Sequence, residues 1–420
     1  MSDAARKRLS AAEAARAILA EVEPLPAHSA PLSEALGQVL ARKVISPLDI
    51  PPWDNSAMDG YALRSGDLSK DGETVLDVVE EIAAGAFPLR TIGQGQCARI
   101  FTGAPVPEGV DCVIRQEDTA VLEDGRVRIT GSRDAGRNVR RQGEDIERGA
   151  VVFEPGTELS PSRIGVLASM AMAHVDVHRR PTIAILSTGD EIADLDEREA
   201  ILTGRKIASS NSYGMRAALE QAGGVLLDLG IARDDRDDLQ QRLDRAADAD
   251  LLVSSGGMSV GEHDHLREML ELRGGDMKFW RLRMRPGAPV GFGLMGGVPW
   301  VGLPGNPVST MVTFELFVRP AIRRLLGHTK PFRRSVSVRV EERLKTPAPL
   351  MHFLRAQVSE TSGALSARLT GPQGSGMLSS MASADALLIV PEDMDEVAAG
   401  ETLRAILLGE SVHVEEAPYG

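Results

Sequence analysis

Aromatic side chains are scarce in this sequence: Phe, Trp and Tyr make up 4% of its 420 residues. Its cores must therefore be built from Val, Leu, Ile, Ala and Met. Cysteine is scarcer still. Cys97 and Cys112 stand alone, with no C-x-x-C and no neighbouring histidine. No disulfide framework or zinc site can be read from them, and a cytoplasmic protein is the simplest account. Basic residues are outnumbered, giving a formal charge of −13. A broad nucleic-acid or anionic-membrane surface needs the opposite surplus, so neither partner is expected. That balance does not exclude an anionic substrate in a locally basic pocket. No stretch reaches the ~18 uninterrupted apolar residues of a membrane helix. The N-terminal "MSDAARKRLSAAEAARAILAEV" has no apolar core of signal-peptide kind.

What is present divides into textures. The length exceeds what one core supports and suggests three or four modules. Ser10 is placed to cap an Ala-rich amphipathic helix from about 11 to 22. "LSEALGQVLARKV" reads as a second short helix entered near Ser33. From about 70 to 135, short β-rich runs separated by Gly, Pro and Asp predict a small β module. "SPSRIGVLASMAMAHVDV" predicts a helix and then a strand. Between 181 and 327, apolar runs end in Gly-bearing loops and helices follow, which predicts a parallel α/β sheet. Past Pro331 the texture returns to β.

Ligands of open parallel sheets bind beyond the carboxyl ends of the strands, where loops present N–H groups and helix N-termini. The loops here are Ser187-Thr188-Gly189-Asp190-Glu191, Ser254-Ser255-Gly256-Gly257 with Gly261-Glu262-His263-Asp264, and Pro304-Gly305-Asn306-Pro307. None contains G-K-[ST] or G-x-G-x-x-G, so neither phosphate loop is predicted. Their acids, with Asp234 and Asp235, suit helix caps or Mg²⁺ coordination beside substrate phosphates. His263 and His265, two residues apart, do not make an H-E-x-x-H zinc pair. Arg281, Arg283 and Arg285 recur at every second residue. In a strand they would share one face, as a solvated surface or as an oxyanion clamp. Arg137, Arg140 and Arg141 form a second, looser basic cluster.

The stretch "PPWDNSAMDGYAL", residues 51–63, reads as a turn-rich loop carrying Asp54 and Asp59. With "FTGAPVPEGVDCVIRQED", "GEDI", "ILSTGDEI", "SSGGMSVGEHD" and "GLPGNPVS", in that order, the chain closely resembles the molybdopterin molybdenumtransferase (MoeA-type) family. The plant and animal homologues, including the E domain of gephyrin, share the pattern. The resemblance implies a multidomain α/β protein with four parts. These are a discontinuous N-terminal helical domain (1–50 plus 138–178), a β insertion domain (51–137), a central parallel-sheet molybdopterin-binding α/β domain (179–328) and a C-terminal β domain (329–420). It implies a cytoplasmic homodimer with a shared cleft. The substrates would be adenylylated molybdopterin and molybdate, with Mg²⁺ assisting and AMP released. Molybdopterin adenylyltransferase and downstream cofactor-handling proteins are implied as possible partners.

Carried over by motif, the resemblance implies catalytic roles for Asp59, Thr102, Asp145, Glu191 and Asp264, and metal ligation by Asp59, Glu191, Asp234 and Asp264. Asp235 is the alternative to Asp234. Substrate contacts are implied for Ser187, Thr188, Gly189, Asp234, Gly256, Gly257, Arg281, Arg285 and Pro304, Gly305, Asn306 and Pro307. Ser309, Arg355 and either Ser379 or Ser380 are implied in a molybdate pocket. One departure stands out: relatives commonly read K-P-G-K-P where this chain has Arg285-Pro286-Gly287-Ala288-Pro289. Two rival readings are a molybdopterin adenylyltransferase and a non-catalytic dimeric molybdopterin-binding scaffold.

Overall fold

The computed structural model describes residues 8–69, 72–233, 235–258, 269, 275–347, 349–361 and 363–409. The first helix spans Ala11–Ala20 and opens as its sequence predicts. Ser10 Oγ accepts from the Glu13 N–H, and the Glu13 carboxylate accepts from the Ser10 N–H, a reciprocal capping box. Ala11, Ala14, Ala15 and Ile18 bury one face against the core of the central sheet. The second expected helix does not form. Leu32–Glu34 is one 3-10 turn, and Gly37 takes a φ of +73° that no continuing helix permits. Val39 and Leu40 instead bridge to Glu158 and Val177, so Leu40 is buried through sheet-like pairing. Nearby, Ala27–Pro31 pairs with His174–His178, and Val44–Ile45 pairs with Val151–Phe153. Two distant chain segments are thereby joined.

The predicted β module is a six-stranded sheet. Its order is Cys112–Arg115, Gly60–Leu63, Gln96–Ile100, Thr74–Ile82, Val127–Ile129, Thr119–Val121. Gly60 belongs to the opening motif, and a Cβ there would lie 1.9 Å from the Ile114 carbonyl oxygen. Only glycine allows this strand to close on its neighbour. Cys97 and Cys112 face Leu63 from opposite sides. Burial, chiefly, pushes their thiols up to about 12 and about 11, which leaves them protonated and unreactive.

The central sheet, with strands numbered within it, contains β1 (Thr182–Thr188), β2 (Val225–Ala232), β3 (Leu251–Ser255), β4 (Asp276–Phe279), β5 (Gly291–Met295) and β6 (Val298–Leu303). The order is β2-β1-β3-β6-β5-β4. The first four run parallel, as the alternation of apolar runs with helices predicts, and β3 is buried throughout. β5 runs against β6 and β4. The cause is local: Gly296-Gly297, both at positive φ, make the tight turn of a β5–β6 hairpin.

The C-terminal β sequences form a closed barrel. Met351–Thr361 pairs with Ala364–Leu369 and also with Ala386–Val390. Thr402–Leu407 and Ser335–Val340 complete the ring, which leaves no open edge among these strands.

The arginine stripe expected on one strand face does not form. Residues 281–285 do not form one strand, because the chain is crossing from the central sheet to the barrel. Leu282 bridges to Leu9 and is buried, residue 283 is a bend, and Met284–Arg285 joins the barrel at Met351–His352. The three guanidiniums consequently diverge. Arg281 lines a cavity at the central sheet, and Arg285 lines another beside the barrel. Arg283 bonds Glu392 at 3.0 Å and lies 3.9 Å from Glu13, so it ties helix, crossing segment and barrel together.

Candidate functional site

A cavity of about 690 Å³ lies beyond the carboxyl ends of the parallel strands. Ser187 and Thr188 end β1, and Gly189 and Glu191 follow it. Ser255 ends β3, Gly256 and Gly257 follow it, and Pro304, Gly305, Asn306 and Pro307 follow β6. Arg281 supplies a cation to the wall. All of these except Ser255 carry a substrate or catalytic role in the sequence reading, and the sheet brings them together. Gly256 has a φ of +91°, and a Cβ on it would approach the Thr188 carbonyl oxygen to 2.5 Å. The β1 and β3 loops can touch only through that glycine.

Sequence reasoning missed the fourth wall, the start of the helix Ser210–Ala222. Ser209, Ser210 and Asn211 line the cavity. Ser212 Oγ lies 2.7 Å from Ser187 Oγ and 2.6 Å from Ser209 Oγ, a buried hydroxyl chain that fixes the helix start to β1. Asn211 Nδ2 donates to Ser255 Oγ at 2.9 Å and to the Gly305 carbonyl at 2.8 Å, stitching β3 to β6. The run Ser209-Ser210-Asn211-Ser212 was the available signal, but it also suits an ordinary helix cap.

A second cavity, about 360 Å³, adjoins the barrel. Arg285, Arg343, Lys345, His352 and Arg355 line it, and none of the described residues around it is a carboxylate. Arg355 is fully buried. Its guanidinium donates to Ser380 Oγ at 3.2 Å and to the carbonyls of Pro372, Gln373 and Gly374 at 3.1–3.2 Å. Burial lowers its pKa. Of the two alternative serines, Ser380 therefore reaches Arg355, while Ser379 is exposed. Ser309 is buried in the helix Pro307–Thr313 and does not line this cavity.

Asp59, Thr102 and Asp145 do not line either cavity. Asp59 Oδ1 accepts from the Thr102 backbone N–H at 2.8 Å and from Thr102 Oγ1 at 2.7 Å. Those bonds, first the hydroxyl and then the N–H, hold the Asp59 carboxyl below its usual range. Asp54 has a different task. It pairs with Arg141 at 2.6 Å and accepts from the Gln142 N–H, and the adjoining Asn55-Ser56 pairs with Val139-Arg140. Asp145 is exposed in a turn, with its N–H on the Ile50 carbonyl. Asp235 caps the helix Arg236–Arg245 by accepting from the Asp238 N–H. Asp234, Glu262, His263, Asp264 and His265 lie outside the described residues.

The architecture is that of a MoeA-type chain, and the similarities run its length. The MoeA N-terminal region (domain I and II) matches residues 9–171, a probable molybdopterin binding domain matches 184–324, and the MoeA C-terminal region (domain IV) matches 337–408. A Mycobacterium tuberculosis protein named molybdopterin molybdenumtransferase 2 is 38% identical over 383 residues, covering 89% of this chain and 93% of its own. A Haemophilus influenzae molybdopterin molybdenumtransferase is 34% identical over 397 residues, covering 93% and 96%. The crystal structure of the molybdopterin biosynthesis moeA protein from Pyrococcus horikoshii OT3 superposes with a TM-score of 0.83 at 27% identity, covering 96% of this chain and 100% of that one. The chain belongs to the molybdopterin molybdenumtransferase family.

Proposed function

We propose that this chain inserts molybdenum from molybdate into adenylylated molybdopterin, releasing AMP and completing the molybdenum cofactor. The observation that carries this reading is the polar cavity at the ends of β1, β3 and β6, in a chain similar over nearly its whole length to proteins of that name. The substrate's phosphoanhydride and molybdate are both anionic. Arg281 and the loop N–H groups would bind and orient phosphates at the first cavity. The cationic second cavity suits a compact oxyanion. The two rival activities named above gain no support from these similarities.

Mg²⁺ fits the donor chemistry. Glu191 brings a hard-oxygen carboxylate to the first cavity, and such an ion takes one or two carboxylates together with substrate phosphates. The described residues hold no group of three or more His, Cys, Asp or Glu able to cage a metal by themselves. When bound, the ion would neutralise charge on the bridging phosphate oxygens.

We further propose a homodimer in which Asp59, Thr102 and Asp145 of one subunit serve the partner's first cavity, since they line neither of the two cavities described above. The four-domain division with the boundaries given above is part of this reading. The pairing of 27–31 and 44–45 with later segments supports its discontinuous first domain. Cytoplasmic residence suits the unpaired Cys97 and Cys112. No helix among the described residues is long and apolar enough to cross a membrane. Handover from an adenylyltransferase and delivery to cofactor-handling proteins remain parts of the proposal.

The direct test is reconstitution with purified adenylylated molybdopterin and molybdate. Molybdate-dependent AMP release with formation of active cofactor is expected. AMP release that ignores molybdate would reject the insertion reaction. A second test addresses Ala288, where relatives commonly carry lysine. Arg283 is engaged with Glu392 and Arg343 with Glu396, so neither replaces that charge, but Arg285 and Lys345 still line the second cavity. Ala288→Lys should therefore lower the half-saturating molybdate concentration by less than about tenfold, although an isolated charge-assisted bond is worth roughly ten- to hundredfold. A larger gain in a molybdate titration would reject compensation by those residues.

A further inference from the structure

The hydrogen bonds of the Arg99 guanidinium go to uncharged groups. Arg99 stands in the strand Gln96–Ile100 opposite Tyr61 of the strand Gly60–Leu63, so the two side chains share one face of the β module. Phe101, two residues on, joins them there. The guanidinium carbon lies 5.1 Å from the centre of the Tyr61 ring and 4.8 Å from that of Phe101. Held by both rings, the side chain crosses the strand that begins at Gly60. Nη1 donates to the Gly60 carbonyl at 3.1 Å, and Nη2 donates to Gln116 Oε1 at 2.8 Å, just past the strand Cys112–Arg115. One side chain thereby ties three neighbouring strands at a single end of the sheet.

Asp59 leaves the sheet at that end. Its carbonyl accepts from the Gln116 N–H at 3.0 Å, and the next carbonyl, of Gly60, is the one that Arg99 holds. Both bonds to its carboxylate come from Thr102, three residues beyond Arg99, and both fall on Oδ1. Behind those bonds, which lower the Asp59 pKa most, the Arg99 charge lowers it further. We propose that Arg99 is a positioning residue for Asp59, fixing the direction in which the remaining carboxylate oxygen, Oδ2, leaves the β module. This rests on the reading of Asp59 as a group that serves the reaction. Arg99 touches no reacting atom in this role and acts only through Asp59. A guanidinium suits it because the flat fork lies against two rings while reaching two acceptors, which an ammonium does not do.

The test is a double-variant cycle in the full-length protein, read as molybdate-dependent AMP release from adenylylated molybdopterin. Arg99→Met keeps an unbranched chain between the rings and removes the charge and both donors. Its kcat should fall about tenfold to a hundredfold, since a misplacement of about 1 Å at a reacting group costs on that order. Half-saturating substrate and molybdate concentrations should change by less than about twofold. In an Asp59→Asn background the same substitution should cost less than about twofold, because the group through which Arg99 acts is already gone. Arg99→Lys keeps the cation at the rings and covers the case in which the methionine variant does not fold. Its smaller loss should likewise vanish in the Asp59→Asn background. Equal losses in both backgrounds would mean that Arg99 maintains the sheet or meets the substrate itself, and would overturn the proposal. A loss confined to the half-saturating concentrations would overturn it as well, as would unchanged kcat in both Arg99 variants while Asp59→Asn is impaired. An Asp59→Asn protein as active as the unmodified one would overturn the reading of Asp59 and this proposal together.

Discussion

Asp59→Asn should reduce molybdate-dependent AMP release by about a hundredfold or more, the scale of losing one preorganised electrostatic contact at a reacting centre. The fold should survive. Asp59 Oδ1 takes both bonds from Thr102, and an asparagine oxygen can accept the same two. What changes is the other position, where an NH₂ replaces an anionic oxygen. Thermal unfolding should be nearly unchanged, because both bonds from Thr102 are kept. The proposed dimer makes the result sharper. Asp59→Asn and Glu191→Gln subunits should each be inactive alone. Mixed under conditions of subunit exchange, each heterodimer should recover up to about half of the activity of an unmodified dimer, because one of its two clefts then holds both intact residues. Recovery is read as AMP release against the fraction of heterodimer. An active Asp59→Asn protein would return the motif to a simple turn. Inactive variants without recovery in confirmed heterodimers would mean that each site is built from one chain.

The two aspartates of the opening motif show how far sequence carries and where it stops. Composition and turn chemistry place both in a loop, which is where they lie. Nothing in those residues says that Asp54 bonds Arg141, because the partner is 87 residues away and is chosen by strand pairing. Features with local causes were legible. The Ser10–Glu13 capping box, the buried β3 strand and the β-rich module are examples. The arginine stripe misled because period two implies one face only while the strand continues, and this one bends at 283 to change sheets. The helix expected after Ser33 failed for a related reason. Its apolar residues suited a helix, but Gly37 and the bridges at Val39 and Leu40 commit them elsewhere. At the cavity, the glycine loops stood out, whereas Asn211 passed as a cap residue. Its role depends on Ser255 and Gly305 arriving from two other strands.

The protein should lose stability on acidification between about pH 6.5 and 4 through His328, by an amount close to 3 kcal/mol at pH 4. His328 is 5% exposed and lies where the N-terminal part of the chain meets the end of the central domain. Its Nδ1 is 2.9 Å from Arg323 Nη2, which can only donate, so Nδ1 must carry a lone pair and the ring is neutral. Burial first, and then the Arg323 charge, hold its pKa down at about 4, against the opposing pull of Glu158 at 3.6 Å. Arg319 adds to the depression. The sign follows from proton counting. Between pH 6.5 and 4 the unfolded chain binds a proton on this ring and the folded chain does not, so stability rises with pH across that window. It is fully present above 6.5 and progressively lost towards 4. His328→Gln keeps an acceptor for Arg323 and has no proton to bind. Urea unfolding of both proteins from pH 7.5 to 4 should give curves that converge as the pH falls, with other carboxylates contributing equally to each. Curves that stay parallel throughout would mean that His328 titrates alike in the folded and unfolded chains, and would remove it as the acid-sensitive group at this junction.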